Sequence, residues 1–177
     1  MKQSIRRAMR TKNLTLDSFE RESYALRLFG EIEKSEIFVS AHTVALYASL
    51  PDEVPTEKAI ERWGQSKRIV LPRMGEDCQM EFFEYSANEI AQGKYGIMEP
   101  QGKEPICEEE IDIMVVPGVA FTLHGTRLGR GKGYYDRYLS RPKTRAYTFG
   151  ACYPHQIVES LPTEQHDVSI DCVINGQ

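Results

Sequence analysis

A glycine-rich basic segment spanning residues 125–137 is the part of the sequence best suited to chemistry. It reads GTRLGRGKGYYDR, with cations placed between alternating glycines: Arg127, Gly129, Arg130, Gly131, Lys132 and Gly133. Glycine lets the backbone approach a ligand closely and adopt positive φ angles. Successive backbone amides and a helix N-terminus then form a cradle for an anion, and arginine and lysine add charges suited to phosphate oxygens. The segment therefore predicts a polyphosphate site.

The residues on either side of this segment support a ligand site over a plain surface turn. An apolar run at 111–116 stops at Pro117 and Gly118, which is typical of a buried strand that ends in a turn, and residues 134–139 have the composition of a short helix. A strand, a glycine-rich loop and a helix in this order are the context that such a motif requires. The segment is not a P-loop, because no Ser or Thr follows Lys132, and its glycine spacing differs from the dinucleotide fingerprint.

The elements that must position the segment alternate between strands and helices. Strands are predicted at 43–48, 68–73, 79–85 and 145–151 and at the end of 164–174; helices are predicted at 2–10, from Asp17 onwards and from Thr56 to about residue 65. Asp17 followed by Glu20 has the pattern of a capping box. The alternation predicts an α/β fold with a largely parallel sheet and connecting helices.

Several residues outside the segment are candidates for ligand contacts. Glu53 follows the strand at 43–48, at the end where open α/β sheets bind ligands. Lys2, Arg6 and Arg10 form a basic stripe that would gain from an anion, although spacing alone favours a solvated surface helix. The loop at 93–100, which contains Tyr95, could close over a flat ligand or anchor itself to the core, and the sequence leaves both open.

Composition restricts the class of protein. The chain has 177 residues, enough for one domain, and is 41% hydrophobic and 27% charged. A formal net charge of −4 disfavours a general nucleic-acid binder, and no apolar run approaches the roughly 20 residues of a membrane span. The scattered cysteines and histidines lack metal-ligand spacing, so zinc and redox chemistry have little support, and a cytoplasmic protein is expected.

The segments VPGVAF and GTRLGRGKGYYDRYL resemble the signature of the 5-formyltetrahydrofolate cyclo-ligase family, also called methenyltetrahydrofolate synthetases. The segments KQSIRR, SLPDEVPT, LPR, YGIMEP and EQHDVSID follow that family's order, so that the resemblance covers nearly the whole chain. Two positions depart from the family pattern, which often has Asp where Thr122 stands and Trp where Tyr95 stands.

The resemblance implies an ATP- and Mg²⁺-dependent ligase that converts 5-formyltetrahydrofolate to 5,10-methenyltetrahydrofolate. It also implies a three-layer fold, with helices on both faces of the sheet, related to the sugar-phosphate isomerases. ATP would contact Lys2, Arg6, Arg127, Leu128, Gly129, Arg130, Gly131, Lys132, Gly133, Tyr134 and Tyr135. Folate would contact Glu53, Tyr95, Arg130, Gly131, Lys132, Gly133 and Tyr134. Asp136 and Asp167 would hold Mg²⁺. The expected partners are these two substrates, with no nucleic acid and no membrane, and the chain is expected to be a monomer.

For this chemistry we assign charge neutralisation on the transferred phosphoryl group to Lys132 and Arg127. A formamide oxygen is a poor leaving group, so its phosphorylation by ATP would precede ring closure by N10. Two other classes stay open on the residues: a sugar-phosphate isomerase that needs no ATP, and a nucleotide- or folate-binding module without catalysis. Incubation with 5-formyltetrahydrofolate, ATP and Mg²⁺ separates all three.

Overall fold

The computed structural model describes residues 1–93 and 96–177. Its helices are α1 (Lys2–Thr15), α2 (Ser18–Glu33), α3 (Glu36–Ser40), α4 (Glu57–Trp63) and α5 (Tyr134–Leu139). Its strands are β1 (Thr43–Ala45), β2 (Arg68–Met74), β3 (Met80–Glu84), β4 (Ile90–Gln92), β5 (Met98–Pro100), β6 (Ile113–Pro117), β7 (Ala120–Phe121), β8 (Arg127–Leu128), β9 (Tyr147–Ala151) and β10 (Cys172–Ile174). None of the helices in these ranges is long and apolar enough to cross a bilayer.

The main sheet has six strands in the order β10-β9-β6-β1-β2-β3. The strands from β10 to β2 pair in parallel, and β3 pairs antiparallel with β2 at the edge. The predicted α/β class and largely parallel sheet are therefore confirmed. The likeness to sugar-phosphate isomerases stays a prediction.

The core lies on both faces of this sheet because its central strands are apolar throughout. Alternate side chains of a strand point to opposite faces. Val44 and Val115 accordingly pack in one cluster with α2, α3 and α4, whereas Ala45 and Val116 pack in another with Tyr138 of α5. Each large aliphatic side chain buried in this way contributes about 1.5–3 kcal/mol to folding. In the described part of the chain, the second face packs against one α-helix, α5, and loop residues such as Ile106 and Ile170 cover the rest.

The predicted start of α2 is confirmed in atomic detail. The Glu20 amide donates to the Asp17 carboxylate at 2.8 Å, and the Asp17 amide donates to the Glu20 carboxylate at 3.0 Å. This reciprocal pair is the capping box read from the sequence. Thr56 precedes α4 as predicted, but its hydroxyl donates to the Tyr47 carbonyl at 2.5 Å instead of capping the helix.

The passage from β6 to the glycine-rich segment differs from the prediction. The predicted strand and helix are both present, as β6 and α5, but a hairpin of β7 and β8 that the sequence did not predict lies between β6 and residues 129–133. Strands of two residues are too short to produce a periodic pattern. Thr122 belongs to this hairpin: its hydroxyl accepts a hydrogen bond from the Thr126 amide at 3.1 Å. The helix α1 packs over the hairpin, with Met9 against Ala120 and Leu128.

Candidate active site

A cavity of about 510 Å³ lies at the carboxyl ends of β1, β2 and β6. We refer to it as the first cavity. Tyr47, Met74 and Pro117, which lie at or just beyond the ends of these strands, form one part of its wall. The opposite part comes from residues 127–136. This is the edge at which parallel α/β sheets bind ligands, because the loops that follow the strands converge there.

Glu53 lies in the wall of the first cavity, as its position after β1 predicted. Its two carboxylate oxygens accept hydrogen bonds at 2.9 Å, one from Arg130 Nε and one from the Leu50 amide. Burial raises the pKa of the Glu53 carboxyl above its ordinary value, and the Arg130 guanidinium and the Leu50 amide offset only part of this. Burial therefore favours a proton on Glu53 more than on an exposed carboxyl.

A second cavity, of about 600 Å³, adjoins the first and is lined by the basic side of α1. Arg6, Arg7 and Arg10 line it, and it shares Arg10, Gly118 and Arg130 with the first cavity. Arg6 Nε donates to the Gly129 carbonyl at 2.9 Å. Arg6, from the stripe that spacing alone suggested to be a solvated surface, therefore lies against the glycine-rich loop, which we define as residues 129–133, whereas the Arg10 side chain is 70% exposed.

The glycine-rich loop needs glycine for two physical reasons. Gly131 and Gly133 have φ angles of 100° and 68°, which other residues rarely adopt. A Cβ atom at Gly129 would lie 2.9 Å from Nη1 of Arg127, so a side chain there would collide with the guanidinium.

The Lys132 side chain is exposed in the wall of the first cavity, and its ammonium has no hydrogen bond or ion pair with any residue that the structure describes.

Arg127 is held differently, in the interior. It forms a 2.9 Å ion pair with Asp136 and donates to the Pro117 carbonyl at 3.3 Å. Its side chain is only 4% exposed, and its Nε atom is buried without a hydrogen-bond partner among the described residues. Arg127 contributes to the wall of the first cavity, so that its charge can act there although its side chain hardly reaches solvent.

The remaining residues predicted to contact ATP differ in how far their side chains are exposed to the first cavity. Leu128 is buried against Met9 and Ala120, so only its backbone could touch a nucleotide. Tyr134 and Tyr135 both line the first cavity. Burial, followed by the charge of Glu53, raises the pKa of Tyr135 far above its ordinary value, which keeps this phenol protonated. Tyr95, the predicted folate contact, lies outside the described residues.

The two predicted metal ligands come from neighbouring segments. The Val168 amide, next to Asp167 in the chain, donates to Asp136 Oδ1 at 3.4 Å. Asp167 Oδ2 accepts from the Glu164 amide at 2.8 Å and from the Lys2 ammonium at 3.3 Å. Although burial acts to raise it, the pKa of Asp167 is held below its ordinary value by the Glu164 amide and the Lys2 ammonium.

This donor set fits Mg²⁺ in its chemistry. Residues 1–93 and 96–177 contain no group of three or more side chains that could hold a metal by themselves. Mg²⁺ usually takes one or two protein carboxylates and completes its shell with phosphate oxygens and water. Lys2 lies beside Asp167, with its ammonium 3.3 Å from the carboxylate.

A set of polar residues that the sequence analysis did not identify holds the loop carrying Glu53, which we call the acidic loop (residues 49–56). Buried Asn13 donates to the Asp52 carbonyl at 2.8 Å and contacts His155 Nε2 at 2.6 Å. Arg21 and the Tyr153 hydroxyl donate to the Glu53 carbonyl at 3.2 and 3.0 Å. These partners are separated by 32 to 142 residues in the chain, so that no local pattern could have revealed them.

Fold and site together define an α/β protein with a cationic glycine-rich loop beside two adjoining cavities, one of them partly apolar. The 5-formyltetrahydrofolate cyclo-ligase family model matches residues 1–176. The chain therefore belongs to this family, as the motifs predicted.

Individual relatives agree with the family match. A mouse 5-formyltetrahydrofolate cyclo-ligase is 28% identical over 98% of this chain and 92% of its own length. The Haemophilus influenzae enzyme of the same name is 35% identical over 77% of this chain and 76% of its own. The NMR structure of Aquifex aeolicus 5,10-methenyltetrahydrofolate synthetase superposes with a TM-score of 0.89 at 30% identity, covering 99% of this chain and 90% of that one.

Proposed function

We propose that this protein uses ATP to cyclise 5-formyltetrahydrofolate to 5,10-methenyltetrahydrofolate, with release of ADP and phosphate. Membership of the family supports this reaction. The structural observation that supports this reaction in this chain is the pair of adjoining cavities that share Arg130. A reaction between two bound substrates needs such adjacent sites, because holding both in register replaces a bimolecular encounter.

The first cavity suits the folate. Its wall combines aromatic and apolar side chains, such as Tyr47, Met74 and Tyr134, with the carboxylate of Glu53. Flat, mostly apolar rings bind in pockets of this kind, where a few polar groups fix their orientation. Glu53 is positioned to accept hydrogen bonds from the N–H groups of a reduced pterin.

The second cavity and the glycine-rich loop suit the triphosphate. Arg6, Arg7 and Arg10 give this side a high density of positive charge. Arginine binds phosphate oxygens through paired N–H groups. Lys132, which has no partner among the described residues, lies on the folate side of the same loop. It would therefore meet the terminal phosphate next to the formyl group.

The chemistry follows from this placement. The formyl oxygen attacks the γ-phosphorus, the bond from phosphorus to the ADP oxygen breaks, and ADP leaves. N10 then attacks the activated formyl carbon and forms the new C–N bond. N10 loses its proton, the C–O bond breaks, and the phosphate leaves with that oxygen. Lys132 and Arg127 balance the charge on the phosphoryl oxygens during the first step.

Asp136 and Asp167 would hold Mg²⁺, which neutralises phosphate charge when bound. The protein's own residues position the reacting groups around it. Lys2 pairs with Asp167, and Arg127 pairs with Asp136. Against the effect of burial, the Glu164 amide and the Lys2 ammonium hold the pKa of Asp167 below its ordinary value, and an ionised carboxylate is the form that a metal requires.

The direct test is incubation of the purified protein with 5-formyltetrahydrofolate, ATP and Mg²⁺. We expect the ultraviolet absorbance of the conjugated methenyl product, with one ADP formed for each folate. A binding module would retain ATP without consuming it, and an isomerase would leave folate unchanged. With ¹⁸O in the formyl group, the label should appear in the phosphate released. Unlabelled phosphate would rule out attack by the formyl oxygen.

Other expectations stay predictions. A single domain over residues 1–177, a monomer, a cytoplasmic location and the absence of nucleic-acid binding all agree with the composition. Size-exclusion chromatography with light scattering would measure the oligomeric state directly.

A further inference from the structure

Arg130 occupies an unusual place between the two cavities, because its side chain lines both. Its Nη2 atom donates to Asp52 Oδ1 at 2.8 Å, and its Nε atom donates to Glu53 Oε1 at 2.9 Å. The guanidinium thus spans two adjacent carboxylates. Since a guanidinium has five N–H donors, several remain for ligands on either side.

Packing alone does not fix this guanidinium. The side chain of Arg130 is 39% exposed, whereas those of Asp52 and Glu53 are each 10% exposed. A long, half-exposed side chain samples many rotamers unless fixed partners hold it. The carboxylates of Asp52 and Glu53 are these fixed partners, and Glu53 lies in the wall of the first cavity.

Asp52 differs from Glu53 in its surroundings. It lines the second cavity and not the first. Its main chain is anchored by the buried Asn13 amide, which donates to the Asp52 carbonyl at 2.8 Å. Its carboxylate is also 3.9 Å from Arg10. Asp52 is therefore a rigid acceptor that faces the nucleotide side of Arg130.

We propose that Asp52 is a positioning residue that holds the Arg130 guanidinium in the wall between the two cavities, where it serves both substrates. This inference rests on the proposed function. If Asp52 is lost, Arg130 keeps Glu53 alone and can swing away from the nucleotide side. Both substrates should then bind more weakly, which distinguishes this role from that of a residue serving one cavity.

The test is Asp52→Asn, which keeps the size of the side chain and removes its charge. We expect KM for ATP and for 5-formyltetrahydrofolate to rise together, with kcat/KM falling about tenfold to a hundredfold, because hydrogen bonds to charged groups are among the stronger ones. The unfolding midpoint should change little, since Arg130 is 39% exposed and keeps its ion pair with Glu53. Glu22→Gln, which breaks the exposed pair of Glu22 and Lys58, is the matched control and should leave both KM values unchanged.

A double-mutant cycle separates positioning from a general structural role. In an Arg130→Lys background, Asp52→Asn should have little further effect, because the group that it positions is already altered. Equal effects of Asp52→Asn in both backgrounds would overturn the proposal, as would unchanged KM values in the single variant. If Asp52→Asn does not fold, Asp52→Glu provides the test, with an increase in both KM values expected and no increase contradicting the proposal. A wild-type protein that forms no methenyl product would instead refute the proposed function.

Discussion

The two loops that face each other across the first cavity are held in opposite ways. The acidic loop is anchored from behind by buried polar groups, and both carboxylate oxygens of Glu53 are already paired. The glycine-rich loop is held by arginines on its carbonyls: Arg6 on Gly129, and Arg137 on Lys132. Of its two cations, Arg130 pairs with Asp52 and Glu53 of the acidic loop, whereas Lys132 is exposed and without a partner among the described residues.

This difference indicates that the two loops have different roles in ligand binding. The acidic loop is preorganised, because its groups are satisfied before a ligand arrives. The glycine-rich loop offers donors that only a ligand can satisfy. Substitutions behind the acidic loop should therefore affect stability first, and substitutions on the exposed side of the glycine-rich loop should affect turnover first.

The largest effect is expected for Lys132→Ala. Loss of one charge-stabilising donor typically lowers kcat about 10²–10³-fold, and the exposed side chain contributes little to folding. Turnover is measured from the methenyl absorbance, and stability from urea denaturation. Lys103→Ala, at another exposed lysine, is the control. Near wild-type turnover in Lys132→Ala would remove this residue from phosphate stabilisation.

Asp136→Asn tests the buried ion pair between Arg127 and Asp136. It leaves the Arg127 charge buried and uncompensated, so the free energy of unfolding should fall by about 3 kcal/mol. Activation by Mg²⁺ should also weaken, which a titration well below the unfolding temperature measures. An unchanged titration would exclude Asp136 as a metal ligand.

The double variant Arg127→Met with Asp136→Leu is the control for this pair. Replacing both charges by apolar side chains of similar size is often neutral for stability. We expect most of the lost stability to return, while activity is lost because the Arg127 charge is gone. A double variant as unstable as Asp136→Asn would mean that burial of the charge is not the cause.

A smaller loss is expected behind the acidic loop. Asn13→Ala removes the partner of the Asp52 carbonyl and of His155. A buried polar group without a partner costs about 1–3 kcal/mol, which urea denaturation would detect. Asn88→Ala, at an exposed turn, is the control. Equal stability of the two variants would show that Asn13 does not anchor the loop.

The smallest effect is a pH dependence from His155. Burial, followed by the charge of Lys12, lowers the pKa of His155 below its ordinary 6.5. The unfolded chain therefore binds a proton more readily than the folded one. Stability from this group is complete above pH 6.5 and is lost as the pH falls through the folded-state pKa. His155→Gln should lessen this loss in urea denaturation at pH 7 and pH 5. An identical loss in both proteins would contradict the assignment.

Local patterns predicted the parts of this molecule that depend on near neighbours. The capping box of Asp17 and Glu20, the strand at 68–73 and the glycines at 131 and 133 are all determined within a few residues. The contacts of Arg130 with Asp52 and Glu53 join positions 78 and 77 residues apart. Arg6 reaches the Gly129 carbonyl over 123 residues. Such pairs depend on how the sheet brings its loops together, which no local pattern encodes.

We propose that the glycine-rich loop and α1 bind the triphosphate while the acidic loop binds the folate. A crystal structure with a non-hydrolysable ATP analogue and 5-formyltetrahydrofolate tests it most directly. We predict the terminal phosphate against Lys132 and the pterin against Glu53, with Arg130 between them. A triphosphate bound elsewhere, with residues 129–133 touching only solvent, would contradict the account.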